Sequence, residues 1–434
     1  MNEHPNIVKE TLMTIINKMS ESPELYVKNP SKDFTRNRKL PFGDMVKLLI
    51  SMGGNSIYKE LLESQGYNAE TATTSAFVQQ RDKILPTAFE FLLNEFTKTH
   101  QDIKTHRGYR LLVADGSDLH SPTNPFDTDT FFQNHPGEKG YNLLHLNAMY
   151  DLFNRLYVDA IVQPGRFENE YKAFVEMTKR SDISGKVIVI ADRNYEGFNN
   201  FAHIENKNWN YLIRVKDLDS NGILSSMPLP QDDEFDVTVT RVLTRVQTNV
   251  AKAMPGYHRL AKKSPFDFFG ESEFFTISLR VVRIKIDENS YETLITNLDC
   301  SEFNPHELKE LYRMRWGIET SFRELKYAVG LNNFHAKKKE YIVQEIYSRI
   351  IMYNFAEMII SHIIISKPKL KHACKVNFTV AIHICRHFLR SLANVLSSDV
   401  DALISKNILP VRPNRKYKRK VKYRSAVSFI YRVA

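Results

Sequence analysis

Residues 186–191 read Lys-Val-Ile-Val-Ile-Ala, in which Lys186 leads into an unbroken run of branched and small apolar side chains that stops at Asp192. A strand that is apolar on both faces must be covered on both. Such a run therefore belongs inside an α/β sheet with helices above and below it. A second short apolar run, 109–114, stops at Asp115-Gly116-Ser117 and reads as a strand meeting a turn. Segments 141–150 and 155–163 are strand-like, and the four residues between them suggest a hairpin. Residues 168–180 have helical spacing, and 210–215 is a further strand. The order strand, hairpin, helix, strand, helix, strand predicts α/β architecture with a mixed sheet.

The flanks differ in pattern. Apolar residues recur at helical spacing in 7–19, 42–50 and 88–96, so residues 1–105 are expected to form an N-terminal helical region. Residues 217–290 contain two alternating stretches, 235–250 and 275–286, broken by Pro and Gly, and predict an inserted antiparallel β module. The core then resumes over 291–365, with a strand at 291–297 and one long helix from His306 to about Val329, opened by Asn304-Pro305. Residues 366–434 are read as a C-terminal helical region with a basic tail, leaving 106–216 as the first part of the core.

With 42% apolar and 25% charged residues, the 434-residue chain is unlike a disordered one. No apolar stretch approaches the roughly 20 residues of a membrane span, and the first ten residues lack the apolar segment of a signal peptide. Three cysteines fit a reducing compartment, so a cytoplasmic location is expected. The net charge of +10 comes from 60 Lys+Arg against 50 Asp+Glu. Residues 402–434 hold ten of the cations and none of the acids, so residues 1–401 are formally neutral. Eight of the ten lie between Arg412 and Arg424.

Two aspartates at strand ends, Asp115 and Asp192, are modest evidence for a site, since an Asp after a strand is more often a turn former or a helix cap. The long helix adds Tyr312, Arg315, Glu319 and Lys326, which at about 100° per residue share a stripe about 60° wide. That stripe also suits an ordinary amphipathic edge with Glu319 paired to Arg315 and Lys326. Taken together, Asp115, Asp192 and Glu319 could hold two divalent ions, by preference Mg²⁺, and clamp the attacking and leaving oxygens of a phosphoryl transfer. Arg315 and Lys326 would then hold backbone phosphates, while Tyr312 and Trp316 contact sugar or stack on an unpaired base.

The sequence Tyr312-x2-Arg315-x3-Glu319-x6-Lys326 matches, with every spacing intact, the Tyr-Arg-Glu-Lys signature of one large group of bacterial insertion-sequence transposases (insertion-sequence family four). These belong to the DDE class and have a ribonuclease H-like catalytic core. Asp115 in Val-Ala-Asp-Gly-Ser and Asp192 in Ile-Ala-Asp-Arg-Asn-Tyr resemble the two family aspartates, and the similarity spans roughly residues 105–365. The resemblance implies a catalytic and metal-binding triad of Asp115, Asp192 and Glu319, with two Mg²⁺ (Mn²⁺ as substitute). It implies cleavage at terminal inverted repeats of double-stranded DNA and transfer of the 3′-hydroxyl ends into target DNA. It further implies a homodimer in a synaptic complex, in the nucleoid of a bacterial cell, with no membrane partner. A ribonuclease H-like nuclease or resolvase without strand transfer is the nearest alternative, and a catalytically inactive DNA-binding derivative the next.

Asp118, three residues after Asp115, competes as first ligand, and His120 and Asn194 are candidates for supporting the ligands. His372, Cys374, His383, Cys385 and His387 have zinc-ligand chemistry, but the i, i+2 spacing within a helix points neighbours to nearly opposite sides, so helix packing is the better account. Arg36, Arg38 and Lys39 are expected phosphate contacts in the N-terminal region, the natural reader of the inverted repeat. In the tail, Arg412, Arg415, Lys416, Lys418, Arg419 and Lys420 are expected to grip DNA. Deletion after Pro410 is expected to weaken DNA binding and flatten its dependence on salt, measured by anisotropy titration across salt concentrations; an unchanged slope refutes a role for the tail.

Overall fold

The computed structural model describes residues 3–36, 38–218, 220–271, 273–288, 290–363, 373–391 and 399–411. The six tail cations from Arg412 to Lys420, and His372, lie outside the described residues.

Five helices open the chain: α1 (Glu3–Glu21), α2 (Phe42–Ser51), α3 (Ile57–Ser64), α4 (Thr74–Asp82) and α5 (Pro86–Lys98). Then come strands β1 (Arg110–Ser121), β2 (Phe131–Phe132), β3 (Tyr141–Asp151) and β4 (Leu156–Pro164), helix α6 (Glu170–Arg180), β5 (Val187–Ala191), α7 (Phe198–Asn206) and β6 (Asn210–Val215). β4, β3 and β1 pair antiparallel, and β1, β5 and β6 pair in parallel. Three antiparallel strands joined to two parallel ones give a mixed sheet of the ribonuclease H-like kind.

Alternation along β1 divides its side chains between two cores. Leu111, Val113 and Leu119 face one, and Leu112 and Ala114 face the other. The partners follow suit: Ile188 and Ile190 of β5 lie in the first core, Val187, Val189 and Ala191 in the second. The apolar run at 186–191 is thus covered on both faces, as its composition requires.

One feature departs from the sequence reading. Asp115-Gly116-Ser117 is not a turn. β1 runs on to Ser121 in unbroken register with β3, from Leu112 opposite Asp151 to Ser121 opposite Asn142. What ends beside Asp115 is the ladder with β5, whose last pair is Ala114 with Ala191. The partner that prolongs β1 comes from residues 142–151, which the local sequence of β1 does not announce.

The β-rich segment after β6 extends the central sheet. Its strands β7 (Phe235–Thr244), β8 (Tyr257–Arg259) and β9 (Phe274–Asp287), with the short helix α8 (Asn249–Lys252), continue the central sheet through β10 (Ser290–Thr296). β10 pairs with β6 on one side and β9 on the other, making one ten-stranded sheet.

Helices α9 (Pro305–Arg313), α10 (Trp316–Tyr327) and α11 (Lys339–Ile360) follow, then β11 (Cys374–Val376), α12 (Phe378–Arg390), α13 (Val400–Lys406) and β12 (Ile408–Pro410). α11 packs against α1, α2, α5 and α12 and against β4, so it is apolar nearly all round. Its polar side chains are buried and therefore need partners. Arg81 of α4 donates from Nη1 to Glu345 Oε1 at 2.8 Å and from Nε to Gln344 Oε1 at 2.8 Å. Glu345 also accepts from the His335 amide at 3.0 Å. Burial alone would push the Glu345 carboxyl up; Arg81 and His335 outweigh it and hold it down at about 2.

Because this carboxyl lies below its unfolded value, its contribution to stability is present above about pH 4.5 and is lost as the pH falls toward 2. Arg81→Ala leaves the carboxylate buried without its cation and is expected to cost about 3–5 kcal/mol in chemical denaturation at pH 7. The loss should shrink as the pH falls through that window; a pH-independent cost below 1 kcal/mol refutes the assignment.

Candidate active site

Asp115 follows Ala114, and Asp192 follows Ala191, at the point where the parallel ladder of β1 and β5 ends. Strand alternation aims both carboxylates at the same face of the sheet, the face that α10 and α11 cover. Each aspartate is pinned by one oxygen. Asp115 Oδ1 accepts from the Gly116 amide at 2.9 Å, and Asp192 Oδ1 accepts from the Asn194 amide at 2.8 Å, capping a short 3₁₀ turn. The helix-cap role weighed for a strand-end Asp is therefore real at Asp192. It occupies one oxygen and leaves the other.

The third acid arrives on a helix that is not continuous. Instead of one helix over 306–329, the segment is α9 and α10, joined at Met314 and Arg315. There the amides of Met314, Arg315, Gly317 and Ile318 each donate to the carbonyl three residues back, at 2.9–3.1 Å. This 3₁₀ stretch winds more tightly than an α-helix and changes the angular positions computed from 100° per residue. Arg315, at the joint, donates from Nη1 to Asp115 Oδ2 at 3.4 Å and from Nη2 to Glu319 Oε1 at 3.2 Å. Its guanidinium also stands 5.8 Å from the Tyr312 ring and 5.5 Å from the Trp316 ring.

Burial pushes the Asp115 carboxyl up to about 7 against the opposing pull of Arg315 and of the Gly116 amide, and the charges of Asp192 and Glu319 add to the rise. Arg315 is the cation set between Asp115 and Glu319. Its Nε and the Tyr312 hydroxyl are buried and make no hydrogen bond among the described residues. Three carboxylates, a guanidinium in contact with two of them, and two unsatisfied polar groups fit a hard cation with oxygen ligands and an incoming phosphate.

Tyr312 is buried, and Trp316 is 55% exposed beside it. Lys326 is turned to the protein: its Nζ donates to the Asp118 carbonyl at 2.9 Å, and burial lowers its pKa. The expected phosphate contact is thus, in this state, a tie between α10 and β1.

Asp118 falls on the opposite face from Asp115, as the odd spacing requires. There it meets His145, its register partner on β3: His145 Nδ1 lies 2.9 Å from Asp118 Oδ1. Glu168 Oε2 lies 3.4 Å from the same nitrogen, and Glu170 Oε1 lies 3.1 Å from Nε2. Burial alone would disfavour the imidazolium; Asp118 and Glu170 outweigh it and raise the pKa to about 9. This cluster escaped the sequence reading. Its one signal is a histidine set between Leu144 and Leu146 in an apolar strand. Gly116 makes it possible, because a Cβ there would lie 2.3 Å from Glu170 Oε1 and 2.4 Å from His145 Nε2.

The other candidates are dispersed. His120 shares the Asp118 face, its ring 5.8 Å from that of Tyr141. On α12, Cys385 is buried while His383 and His387 are exposed, and Cys374 lies on β11, so helix packing accounts for Cys385 alone. Arg36 and Arg38 line a cavity with Lys32 and Lys83, while Lys39 pairs with Glu70 at 2.8 Å.

Residues 106–355 match the family model of the transposase DDE domain. No curated protein matches the chain. The solved structure of piggyBac transposase in a synaptic complex with hairpin DNA aligns over 95% of this chain and 87% of that one, at 11% identity and a TM-score of 0.47.

A carboxyl held at about 7 in the fold and near 3.9 unfolded costs stability as the pH rises from about 4 to 7, and the cost is complete above that. In metal-free buffer, Asp115→Asn is therefore expected to stabilise the protein by about 1–3 kcal/mol at pH 8 and by much less at pH 5. Calorimetry at the two pH values checks this, and equal or negative shifts at both refute it.

Proposed function

The chain belongs to the transposase DDE domain family, and on that footing we propose how its own residues carry the reaction. It is a DDE transposase, an enzyme that cleaves and joins DNA, and the family depends on divalent metal ions. The finer reading is that Asp115, Asp192 and Glu319 are the metal-binding and catalytic triad. The observation that carries it is the convergence of all three on one sheet face, with Arg315 in contact with two of them.

In this reading two Mg²⁺ ions, with Mn²⁺ as substitute, would activate the attacking hydroxyl and stabilise the departing oxygen. The chain prepares the site in advance. The Gly116 and Asn194 amides fix one oxygen of each aspartate and so orient the other. Arg315 balances the carboxylates before a phosphate arrives and then turns an N–H to it; its buried Nε is unsatisfied until that happens. Trp316, exposed beside Arg315, stacks on a base or sugar near the scissile bond. Tyr312 presents a hydroxyl that lacks a partner within the described residues. Lys326 holds α10 against β1 and thereby sets the depth of Glu319.

The spacing of Tyr312, Arg315, Glu319 and Lys326 supports membership of the Tyr-Arg-Glu-Lys group (insertion-sequence family four), with terminal inverted repeats as substrate and a dimer on paired ends. Among the described residues no helix is long and apolar enough to cross a membrane.

Asp115→Asn, Asp192→Asn and Glu319→Gln are each expected to abolish cleavage and end joining on inverted-repeat DNA with Mg²⁺, while binding to that DNA persists in a mobility-shift assay. Unchanged cleavage by any one variant removes that residue from the triad. Cleavage without joined product by the unaltered protein would favour a nuclease.

A further inference from the structure

The Asp118, His145 and Glu168 cluster takes no part in the chemistry assigned above, and it lies on the other face of the same strand. One ligand atom from each residue, Asp118 Oδ, His145 Nδ1 and Glu168 Oε, lies within 4.8 Å of both others. We propose that these three residues bind one divalent cation of borderline hardness, Zn²⁺ by preference, behind the strand that carries Asp115.

Four observations point the same way. The donors are one imidazole nitrogen and two carboxylate oxygens, the mixed set that suits Zn²⁺ better than a purely oxygen-seeking Mg²⁺. Their spacing is right: a tetrahedral ion with bonds of about 2.0–2.2 Å holds its ligand atoms roughly 3.3–3.5 Å apart. His145 Nδ1 lies 3.4 Å from Glu168 Oε2 and 2.9 Å from Asp118 Oδ1, so the first pair already has that separation and the second has to open by about half an ångström, while the two carboxylates lie within 4.8 Å of each other.

The third observation concerns the far side of the ring. His145 is 6% exposed, and its buried Nε2 makes no hydrogen bond, yet it stands 3.1 Å from Glu170 Oε1. A carboxylate behind the non-coordinating nitrogen is what orients metal-binding histidines and raises their basicity. Gly116 keeps the space for that contact, since any Cβ would collide with both groups. The fourth is charge. Three carboxylates surround a single imidazole, so the group stays negative even with the ring protonated, and a divalent ion removes that excess.

The ion would tie β1 to β3 and both to the segment entering α6, because Asp118, His145 and Glu168 come from those three places. It is separate from the triad in ligands and in face, and the inference stands whether or not the triad reading holds.

The test uses the full chain carrying Asp115→Asn, Asp192→Asn and Glu319→Gln together, which silences the front face. Equilibrium dialysis against Zn²⁺ should find a single bound equivalent, retained in an excess of Mg²⁺, with a higher melting temperature when zinc is present. Adding His145→Gln or Glu168→Gln should weaken that binding by more than about tenfold. Glu168 lies at the rim with its side chain 37% exposed, so its substitution tests the site without disturbing the core. Should the triple variant fail to fold, Glu168→Gln in the otherwise unaltered chain is expected to lower the zinc bound by one equivalent. No zinc bound to the triple variant, binding that both added substitutions leave intact, or displacement by Mg²⁺ each overturns the proposal.

Discussion

A long helix buried on nearly every side cannot exist unless two different layers are supplied for it. α11 presents Ile346, Ile350, Met352, Tyr353, Phe355 and Ile359 to a core shared by the sheet and by the N-terminal helices. The sheet alone would cover one side of it. The helices α1, α2 and α5 cover much of the rest, and α12 adds to them. The N-terminal region is thus built into the catalytic unit instead of being tethered to it. The buried Arg81 to Glu345 pair makes the same joint polar: it specifies which face of α4 meets which turn of α11, since a shift of either would strand a charge in the apolar interior.

The sheet carries the second constraint. Parallel pairing of β1 with β5 sets two aspartates side by side, and alternation then decides what each face can become. On the front, burial and the neighbouring acids raise the Asp115 carboxyl, and Arg315 only partly opposes them. On the back, the same strand offers Asp118 to a histidine on β3. A one-residue slip in the register of β1 would exchange the two sets, so the long ladder with β3 protects the chemistry as well as the fold.

Much of this was legible in the sequence because it is local. The apolar run at 186–191 could only be a strand covered on both faces, and the acids after the two runs were marked by their positions. What stayed hidden depends on distant partners. The continuation of β1 past Gly116 is decided by β3, some thirty residues on. The break at Met314 and Arg315 had no Pro or run of Gly to signal it; Gly317 lies just beyond, and the local carbonyls accept at i−3. His145 looked like one polar residue in an apolar strand, and its carboxylate neighbours come from β1 and from the entry to α6.

The continuity of the central sheet bears on how such an enzyme can be rebuilt. An insertion that forms its own sheet is a cassette, which can be excised or exchanged at little cost to its host. Here β9 is hydrogen-bonded to β10 and β7 to β9, while β10 is itself paired to β6 of the core. Excising 217–289 would bare one whole edge of β10, from Ser290 to Thr296, and open a row of unpaired backbone groups to any other chain. The segment is modular in sequence and indivisible in hydrogen bonding. A shortened relative of this chain would need another strand, a helix or a second subunit to close that edge.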